Sequence, residues 1–550
     1  MNDELRDQVE AWIALDPDED DRNTLSALLA SDDQAELERR FSAPLTFGTA
    51  GLRGPEMAGP SGMNRATVRR ATLGVLAWMQ EIGVDSSRGV VVGRDGRRGS
   101  EKFNDEVVTV LLGGGAVVYE MPSALPTPLV AYGVKALHAA AGIMITASHN
   151  PAEDNGYKLY ASDGAQIVPP DDEIVERHAQ RAGAATLGDR TSPSHCYVPE
   201  TLLEDYRRHV VSRFHAPSAS ELAITYTPLH GVGGATMMHL FAEAGFSRVT
   251  TVIRQFEPDG SFPTLVFPNP EEPGALDLAI ETANAETSSI IIANDPDADR
   301  LGAAVRDGST WRVLRGDEIG WLLASSLMNG IHDRGESVAT TIVSSSLLEK
   351  MAQAHDVRCE TTLTGFKWLA RSAGEGVLGF AYEEALGFAV DANVADKDGM
   401  SAALALVTLA DELASSGSSL HERLDELEST YGVHATTQLA IRAEGPEGLA
   451  QLHQKVWDVT DHPPTTLGGI DVSESNDLSV GFRGLSSTDA VWLGLGELGR
   501  VVVRPSGTEA KVKAYLEVTP PREGTLSEQR TRAGEITERV LESLRELLSV

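Results

Sequence analysis

The segment DPDADR carries three acidic residues at alternate positions, Asp295, Asp297 and Asp299. Side chains alternate between the two sides of an extended backbone, so this spacing predicts that all three carboxylates face the same way. Converging carboxylates repel one another unless a hard cation lies among them, which indicates a divalent metal site. An EF-hand is excluded because Arg300 and Arg306 stand where its loop needs Gly and Glu. The alternative is a solvated acidic loop.

A second polar segment, TASHNP, places Ser148 in a loop that Asn150 and Pro151 force into a turn. A serine on a tight loop beyond a strand can act as a nucleophile or as a phosphate carrier. Lys158 is close enough in sequence to reach the same site and serve as an acid or a base. Because Ser148 does not lie in a GxSxG elbow, an α/β-hydrolase is disfavoured. The alternative is a serine that only stabilises a turn.

The segment RPSGTEAK lies between two predicted strands and has the chemistry of a phosphate cradle. Arg504, the hydroxyls of Ser506 and Thr508, and backbone N–H groups near Gly507 can all donate to phosphate oxygens. A hairpin turn is the alternative, since SGT is also turn chemistry.

Two shorter segments add weaker signals. FGTAGLRG is glycine-rich and contains Arg53, so its backbone could approach a phosphate, although an ordinary loop fits as well. TGFKW puts Lys367 at a strand-to-helix turn, with a surface lysine as the alternative. The chain has only nine lysines, and Lys158, Lys367 and Lys511 fall inside or just after these segments.

The elements that position these loops follow from the hydrophobic pattern. The apolar runs AAGIMI, SSIIIA and VLGFAY each end in a polar loop, and ligands of parallel α/β sheets bind beyond the carboxyl ends of strands. From about 88 to 415, short apolar runs alternate with amphipathic stretches such as 101–112, for which Ser100 is a predicted N-cap. This alternation predicts three similar α/β units with parallel strands and helices on both sheet faces.

The hydrophobic pattern of the sequence changes from about residue 435. ATTQLAIRAEG, VWLGLGELGRVVVRPSG and KVKAYLEV are typical of strands in a mixed or antiparallel sheet. Residues 526–548 then predict a closing amphipathic helix. The C-terminal region is therefore expected to be a smaller α+β domain of a different kind.

The net charge, the apolar stretches and the cysteine count of the chain limit which partners and which cellular compartment are expected. The net charge of −35 repels nucleic acid and anionic membranes, so neither is an expected partner. No uninterrupted apolar stretch is long enough for a membrane helix, and the acidic N-terminus does not resemble a signal peptide. With only two cysteines, Cys196 and Cys359, a disulfide framework is excluded and a reducing cytoplasm is expected.

The ordered set TASHNP, DPDADR, EEALGF and RPSGTEAK resembles the phosphoglucomutase/phosphomannomutase family, the α-D-phosphohexomutases. GTAGLRG, PLHGVGG and TGFKW also match it. The N-terminal run before FGTAGLRG resembles the branch with phosphopentomutases, glucose-1,6-bisphosphate synthases and many bacterial phosphoglucomutases. The resemblance implies an α/β fold of three similar mixed domains with helices on both sheet faces, plus a smaller α+β C-terminal domain, around a central cleft.

The resemblance also implies domain boundaries and roles for individual residues. The expected divisions are an N-terminal helical extension (1–40), domain I with the phosphoserine loop (41–210), domain II with the metal loop (211–314), domain III with the sugar-binding loop (315–430) and domain IV with the phosphate-binding loop (431–550). Ser148 becomes the phosphoserine, whose phosphate holds Mg²⁺ together with Asp295, Asp297 and Asp299. The residues implied in phosphoryl and proton transfer are Arg53, His149 and Lys158. Those implied in substrate binding are Arg300, Thr364, Gly365, Lys367, Glu383 and Ala385. Those implied in gripping the phosphate that does not react are Arg504, Ser506, Gly507, Thr508 and Lys511.

The activity implied is that of a phosphosugar mutase, interconverting sugar 1-phosphate and 6-phosphate through a sugar 1,6-bisphosphate. Glucose or mannose is the expected sugar. Relatives specific for these often carry Ser where this chain has Ala385, which leaves phosphopentomutase or glucose-1,6-bisphosphate synthase as alternatives. A metal-dependent sugar phosphatase is more remote, since it needs no separate phosphate cradle. A catalytically inactive sugar-phosphate-binding protein would be expected to have a broken motif, yet all are intact.

Overall fold

The computed structural model describes residues 3–48, 51–216, 220–442, 445–505 and 511–549. These residues form two compact units. The first comprises the chain up to Leu314 together with Gly387–Asp411, and the second comprises Arg315–Leu386 together with the chain from Glu412 onward. No helix of the described ranges has the length and apolar character needed to cross a membrane.

The first unit begins with three helices that precede the first sheet. Their bounds are α1 Asp3–Leu15, α2 Glu19–Ser31 and α3 Gln34–Arg40. The side chains of Asp18 and Asp33 accept hydrogen bonds from backbone N–H groups of α2 and α3, which caps both helices. Their apolar faces bury Val9, Trp12 and Leu25 in a small core that Ala58 and Ala66 complete.

The first sheet has the strand order β1-β5-β4-β2-β3-β6. Its strands are β1 Leu52–Pro55, β2 Val90–Arg94, β3 Val118–Glu120, β4 Ala141–Ile145, β5 Asp154–Tyr160 and β6 His195–Tyr197. Its helices are α4 Arg65–Glu81, α5 Ser100–Gly113, α6 Thr127–Ala136, α7 Asp171–Arg181 and α8 Glu200–Arg213. Strands β4, β2, β3 and β6 pair in parallel, as the sequence predicts.

The parallel prediction is wrong for β5 and β1, which pair antiparallel. The connection from β4 to β5 contains only TASHNP and two further residues, too few for the crossover that a parallel neighbour requires. Strand β5 therefore returns beside β4 in the opposite direction. The N-cap prediction is also wrong: Ser100 is the first residue of α5, and its hydroxyl donates to buried Asp95 at 2.6 Å instead of capping the helix.

The second sheet has the order β11-β10-β9-β7-β8. Its strands are β7 Ile224–Thr227, β8 Val249–Thr251, β9 Ile290–Asn294, β10 Leu301–Asp307 and β11 Thr310–Val313. Its helices are α9 Gly234–Glu243, α10 Ile253–Phe256 and α11 Asp277–Ala285. Strands β8, β7 and β9 are parallel, whereas β10 pairs antiparallel with β9 because the short DPDADR turn joins them.

The second unit opens with a parallel sheet in the order β13-β12-β14. Its strands are β12 Ser337–Thr341, β13 Cys359–Thr362 and β14 Leu378–Glu383. Its helices are α12 Gly316–Arg334, α13 Leu347–Ala354, α14 Phe366–Leu369 and α16 Leu420–Tyr431. Between α14 and α16 the chain forms β15 (Gly387–Ala389) and α15 (Gly399–Ser415).

The C-terminal sheet is antiparallel, with the order β16-β22-β21-β20-β19. Its strands are β16 Ala435–Arg442, β19 Glu474–Asp477, β20 Val491–Gly494, β21 Gly499–Pro505 and β22 Lys511–Val518, with β17 Thr466–Leu467 and β18 Ile470–Asp471 as a separate pair. Its helices are α17 Gly445–Asp461 and α18 Leu526–Leu548. The predicted sheet type and the closing helix at 526–548 are confirmed, and so is the mixed α/β fold class.

Candidate active site

The DPDADR loop brings its three carboxylates together by a turn, and the expectation of an extended backbone is wrong. Strand β9 ends at Asn294, and the N–H of Ala298 then donates to the carbonyl of Asp295 at 2.9 Å. Ala298 has a φ of 55°, which places it in the left-handed region that a tight turn requires. Oxygen atoms of Asp295, Asp297 and Asp299 nevertheless lie within 4.8 Å of one another. The turn replaces strand alternation as the cause of convergence.

These three aspartates are completely buried, and their like charges repel one another. Burial and the neighbouring carboxylates raise the pKa of Asp295 well above its ordinary value. Within the described residues, Oδ1 of Asp297 and Oδ1 of Asp299 have no hydrogen-bond partner. Buried carboxylate oxygens that face one another without donors are the ligands that a hard divalent cation requires. The donor set therefore fits a metal such as Mg²⁺.

Ser148 lies against this carboxylate group. Its Oγ donates to Asp295 Oδ2 at 2.7 Å and lies 3.1 Å from Nδ1 of His149. Its backbone has a φ of 53°, in the left-handed region, and its N–H donates to Oγ1 of Thr146 at 2.9 Å. The turn thus directs a serine hydroxyl from the end of β4 into the proposed metal site.

Lys158 approaches the same carboxylates from β5, the strand that the TASHNP turn sends back beside β4. Its Nζ lies 2.7 Å from Asp297 Oδ2 and 2.6 Å from Asp299 Oδ2. Burial lowers the pKa of this ammonium, but the two aspartates raise it by more, so the pKa lies above its ordinary value. Lys158 is therefore charged at neutral pH in this arrangement.

Two arginines add positive charge to the group. Arg53, on β1, donates from Nη1 to Oδ1 of Asn150 at 3.3 Å. The Nε of Arg300 lies 4.0 Å from Asp295 Oδ2 and 3.8 Å from Asp299 Oδ1. Burial and the charge of Arg300 lower the pKa of Arg53 from its ordinary value. The structure thus brings Arg53, Arg300, Lys158 and the Ser148 loop together with the three aspartates.

Glycine at 231, in the PLHGVGG segment, permits a close backbone approach to the aspartate loop. A Cβ at this position would lie 2.4 Å from the Cα of Pro296. The N–H of Val232 donates to the carbonyl of Pro296 at 2.8 Å, which holds the turn from outside. Residues with larger side chains at 231 would displace the loop that carries the aspartates.

Sequence reasoning missed Lys397 and Thr127. Lys397 Nζ lies 3.3 Å from Asp299 Oδ2 and 3.1 Å from Asp396, whose carboxylate also accepts from Tyr160. Thr127 donates to Asp297 twice, from Oγ1 to Oδ2 at 2.6 Å and from its N–H to the carbonyl at 2.9 Å. The scarcity of lysine could have drawn attention to Lys397, but Thr127 in ALPTPL carries no signal of its own.

The residues predicted to bind the sugar belong to the second unit. Thr364 and Gly365 precede α14, Gly365 has a φ of 115°, and Lys367 is a buried residue of that helix. Glu383 is the last residue of β14, and Ala385 follows in the loop after it. Each position lies at or just beyond a strand end, as the sequence predicts, and the substrate contacts themselves stay a prediction.

The predicted phosphate-binding loop is only partly within the described residues. Arg504 is near the end of β21 and lies opposite Lys513 of β22, while Lys511 begins β22. Ser506, Gly507 and Thr508 lie outside the described residues. The strands on both sides show that RPSGTEAK connects two antiparallel neighbours.

Comparison with known families identifies the chain's relatives. Models described as phosphoglucomutase/phosphomannomutase alpha/beta/alpha domains I, II and III and C-terminal domain match residues 44–185, 204–308, 315–431 and 493–532. Together these matches cover more than half of the chain. It belongs to the phosphoglucomutase/phosphomannomutase family. The residues at which its domains begin and end stay a prediction.

Individual members of this family are similar over most of their length. A "probable phosphomannomutase" of Haemophilus influenzae is 37% identical, over 83% of this chain and 93% of that protein. A "probable phosphoribomutase" of Schizosaccharomyces pombe is 35% identical, over 93% of each chain. The open form of parafusin, a phosphoglucomutase from Paramecium, has the same fold, with a TM-score of 0.71 at 16% identity, covering 92% of this chain and 96% of parafusin.

Proposed function

We propose that this chain is a phosphosugar mutase that interconverts sugar 1-phosphates and 6-phosphates through a phosphorylated Ser148. One observation carries the proposal: the Ser148 hydroxyl lies 2.7 Å from Asp295, within a group of three buried carboxylates. A hydroxyl beside a cation site is suited to carry a phosphoryl group, because the cation offsets the charge of the phosphate. The family membership of the chain supports the same chemistry.

The carboxylates of Asp295, Asp297 and Asp299, with the serine phosphate, are the proposed Mg²⁺ ligands. When bound, Mg²⁺ would neutralise negative charge on the phosphoryl group as it transfers. The phosphoryl group leaves the Ser148 oxygen for a hydroxyl of a sugar monophosphate, which gives a sugar bisphosphate. The bisphosphate turns over, and its other phosphoryl group returns to the same serine oxygen.

Proton transfer and charge stabilisation fall to the polar residues around the serine. The sugar hydroxyl must lose a proton as it attacks, and it must regain one when its phosphoryl group leaves. Lys158 and His149 are our candidates for moving this proton, since His149 Nδ1 already lies 3.1 Å from the serine oxygen. Arg53 and Arg300 offer fixed positive charge to the transferring group.

A mutase also has to hold the phosphate that does not react. We assign this role to Arg504, Ser506, Gly507, Thr508 and Lys511, and we assign contacts with the sugar to Thr364, Gly365, Lys367, Glu383 and Ala385. Arginine suits the first role because its paired N–H donors fit a phosphate in either orientation of the sugar. A sugar 1,6-bisphosphate is then the expected activator, since it restores the phosphate on Ser148.

A hexose is the primary substrate in this proposal, with glucose and mannose as the candidates. A pentose phosphate is the second candidate, because Ala385 removes a hydroxyl from the sugar loop and the phosphoribomutase relative matches 93% of both chains. We expect no nucleic-acid or membrane partner for a protein of net charge −35. A reducing cytoplasm suits its two free cysteines.

A panel of sugar 1-phosphates tests the proposal. Purified protein is assayed with the 1-phosphates of glucose, mannose, glucosamine, ribose and deoxyribose, each with Mg²⁺ and the matching bisphosphate. We expect mutase turnover with at least one sugar and the highest specificity constant for glucose or mannose. Release of inorganic phosphate from every sugar, with no isomerised product, would favour the phosphatase alternative.

A further inference from the structure

Arg97 is a buried arginine that binds the backbone of the serine loop. Its side chain is almost inaccessible to solvent, and each terminal nitrogen donates to two carbonyl oxygens. Nη2 donates to the carbonyls of Ser148 at 2.7 Å and Asn150 at 2.6 Å. Nη1 donates to those of Pro151 at 2.6 Å and Asp154 at 2.9 Å. One guanidinium therefore holds three carbonyls of the turn between β4 and β5 and the carbonyl of the first residue of β5.

Asp95 forms a buried ion pair with this guanidinium and also binds the Arg97 backbone. The remaining nitrogen of Arg97, Nε, lies 3.3 Å from Asp95 Oδ2. The other oxygen of Asp95 accepts from the N–H of Arg97 at 3.0 Å and from Ser100 at 2.6 Å. The Nε–Asp95 contact is an ion pair without a hydrogen bond, whereas both terminal nitrogens are hydrogen-bonded. Rotation of the side chain would therefore break several contacts at once.

The loop needs such a restraint because Ser148 adopts a left-handed backbone with a φ of 53°. A residue with a side chain occupies this region only where its surroundings hold it. Arg97 binds the carbonyl of Ser148 itself and those that follow. It does not touch the serine hydroxyl, so its effect on chemistry has to act through the backbone.

The flat face of Arg97 is covered by Phe262, with 5.0 Å from the guanidinium carbon to the ring centre. Gly260 packs so closely beside it that an added Cβ would lie 2.7 Å from the Cα of Arg97. This segment continues to the aspartate loop, because Asp259 N–H donates to the carbonyl of His230, close to the Val232–Pro296 contact. Arg97 is therefore connected to both loops that form the site.

We infer that Arg97 is a positioning residue that sets the Ser148 oxygen at the correct distance from the aspartate loop for phosphoryl transfer. This inference rests on the proposed function of Ser148. Small misplacements of a reacting group cost about a hundredfold in rate, since the reacting atoms no longer meet in the required geometry. Substrate affinity depends on other residues and is expected to stay close to the wild-type value.

Arg97→Lys tests this inference, because it keeps the charge but cannot span four carbonyls from one nitrogen. We expect kcat to fall about a hundredfold with KM little changed. The rate at which a sugar bisphosphate phosphorylates Ser148, followed by intact mass, should fall in parallel. Arg98→Lys is the matched control, since Arg98 is the exposed neighbour. A kcat close to wild type in a folded Arg97→Lys variant would overturn the inference.

Phe262→Leu provides a second variant that leaves all the hydrogen bonds of Arg97 in place. It should lower kcat less than Arg97→Lys, again with KM little changed. In the double variant the two losses should overlap, because both act through the same guanidinium. Losses that multiply would show independent effects and contradict the inference. If wild-type Ser148 accepts no phosphoryl group from any bisphosphate, the proposed function fails instead.

Discussion

Ser148 combines two features that a phosphate carrier needs: a fixed position and a neighbouring site for positive charge. Its hydroxyl donates to Asp295, and Lys158 contacts the other two carboxylates of the same group, Asp297 and Asp299. A phosphate on the serine would bring further negative charge to buried carboxylates. The arrangement is stable only if a cation joins it, so metal binding and phosphorylation are expected to support each other.

Asp297→Asn tests the metal site at the level of one atom. The amide keeps the shape of the turn but removes a negative charge from the proposed ligands. We expect turnover to fall by on the order of a hundredfold or more, because charge on the transferring group is less well neutralised. Steady-state rates and Mn²⁺ titration by calorimetry provide the measurement. Asp307→Asn, at an exposed position, is the control. Activity that resists a chelator in the wild type would contradict the metal assignment.

The residue types of the site could be predicted from sequence, but part of their arrangement could not. Asp295, Asp297 and Asp299 were predicted to converge, yet the cause is a turn stabilised by Ala298 rather than strand alternation. Lys397 was not predicted because its neighbours on both sides are acidic, which is also typical of a solvated surface. Its contact with Asp299 depends on tertiary structure that no local pattern encodes.

At the scale of elements, a dense polar junction joins the loop after β12 to the C-terminal sheet within the second unit. Arg500 of β21 donates to the carbonyl of Ser344 at 2.5 Å and pairs with Glu517 of β22 at 3.0 Å. The hydroxyl of Ser344 donates to Glu384, in the predicted sugar loop, at 2.9 Å. Glu517 also accepts from buried His434 at 2.8 Å. The predicted sugar loop and the C-terminal sheet therefore both contact the loop after β12, through Ser344.

Glu384 makes the stability of this junction depend on pH. Burial raises the pKa of its carboxyl from 4.5 to about 7, and the charges of Glu383 and Asp317 act in the same direction, against Lys513. The folded protein favours the protonated form of Glu384. The contribution of this carboxyl to the free energy of unfolding is therefore complete below pH 4.5 and is lost as pH rises through about 7. We expect the melting temperature of Glu384→Gln to fall less than that of the wild type over this range.

Thermal melts of wild type, Glu384→Gln and the control Glu375→Gln, which changes an exposed carboxylate, make this comparison. The glutamine amide still accepts from Ser344, so the junction keeps that hydrogen bond while it loses the titrating group. Equal pH dependence in all three proteins would show that Glu384 titrates near its ordinary value.

Element types were predictable where the period of the pattern is clear, and strand direction was not. The antiparallel C-terminal sheet and α18 follow from alternating and amphipathic patterns. Strands β5 and β10 are mostly buried, like the parallel strands, and their sequences do not indicate strand direction. Their direction is set by the length of the connection before them. Both connections are short, and they are the loops that carry the serine and the aspartates.

At the scale of the whole molecule, a mutase differs from a phosphatase in keeping hold of a bisphosphate. Arg504→Ala removes the proposed grip on the phosphate that does not react, at a cost of roughly 2–5 kcal/mol in binding. The variant should have a higher KM and release bisphosphate, and added bisphosphate should partly restore its rate. Initial rates against bisphosphate concentration provide the measurement, with Arg483→Ala, also on the C-terminal domain, as a control. An unchanged KM and bisphosphate dependence would remove the mutase assignment of this loop.

The central claim is that a phosphoryl group passes through Ser148 on its way between two positions of a sugar. It is tested by loading the wild-type protein with a radiolabelled phosphoryl group from the sugar bisphosphate, removing the excess, and mixing it with an unlabelled sugar 1-phosphate. We predict that the label maps to Ser148, leaves the protein in one turnover and appears in the sugar phosphates, and that Ser148→Ala takes up no label and does not turn over. Label at another residue, label released as inorganic phosphate, or full mutase activity in Ser148→Ala would contradict the account.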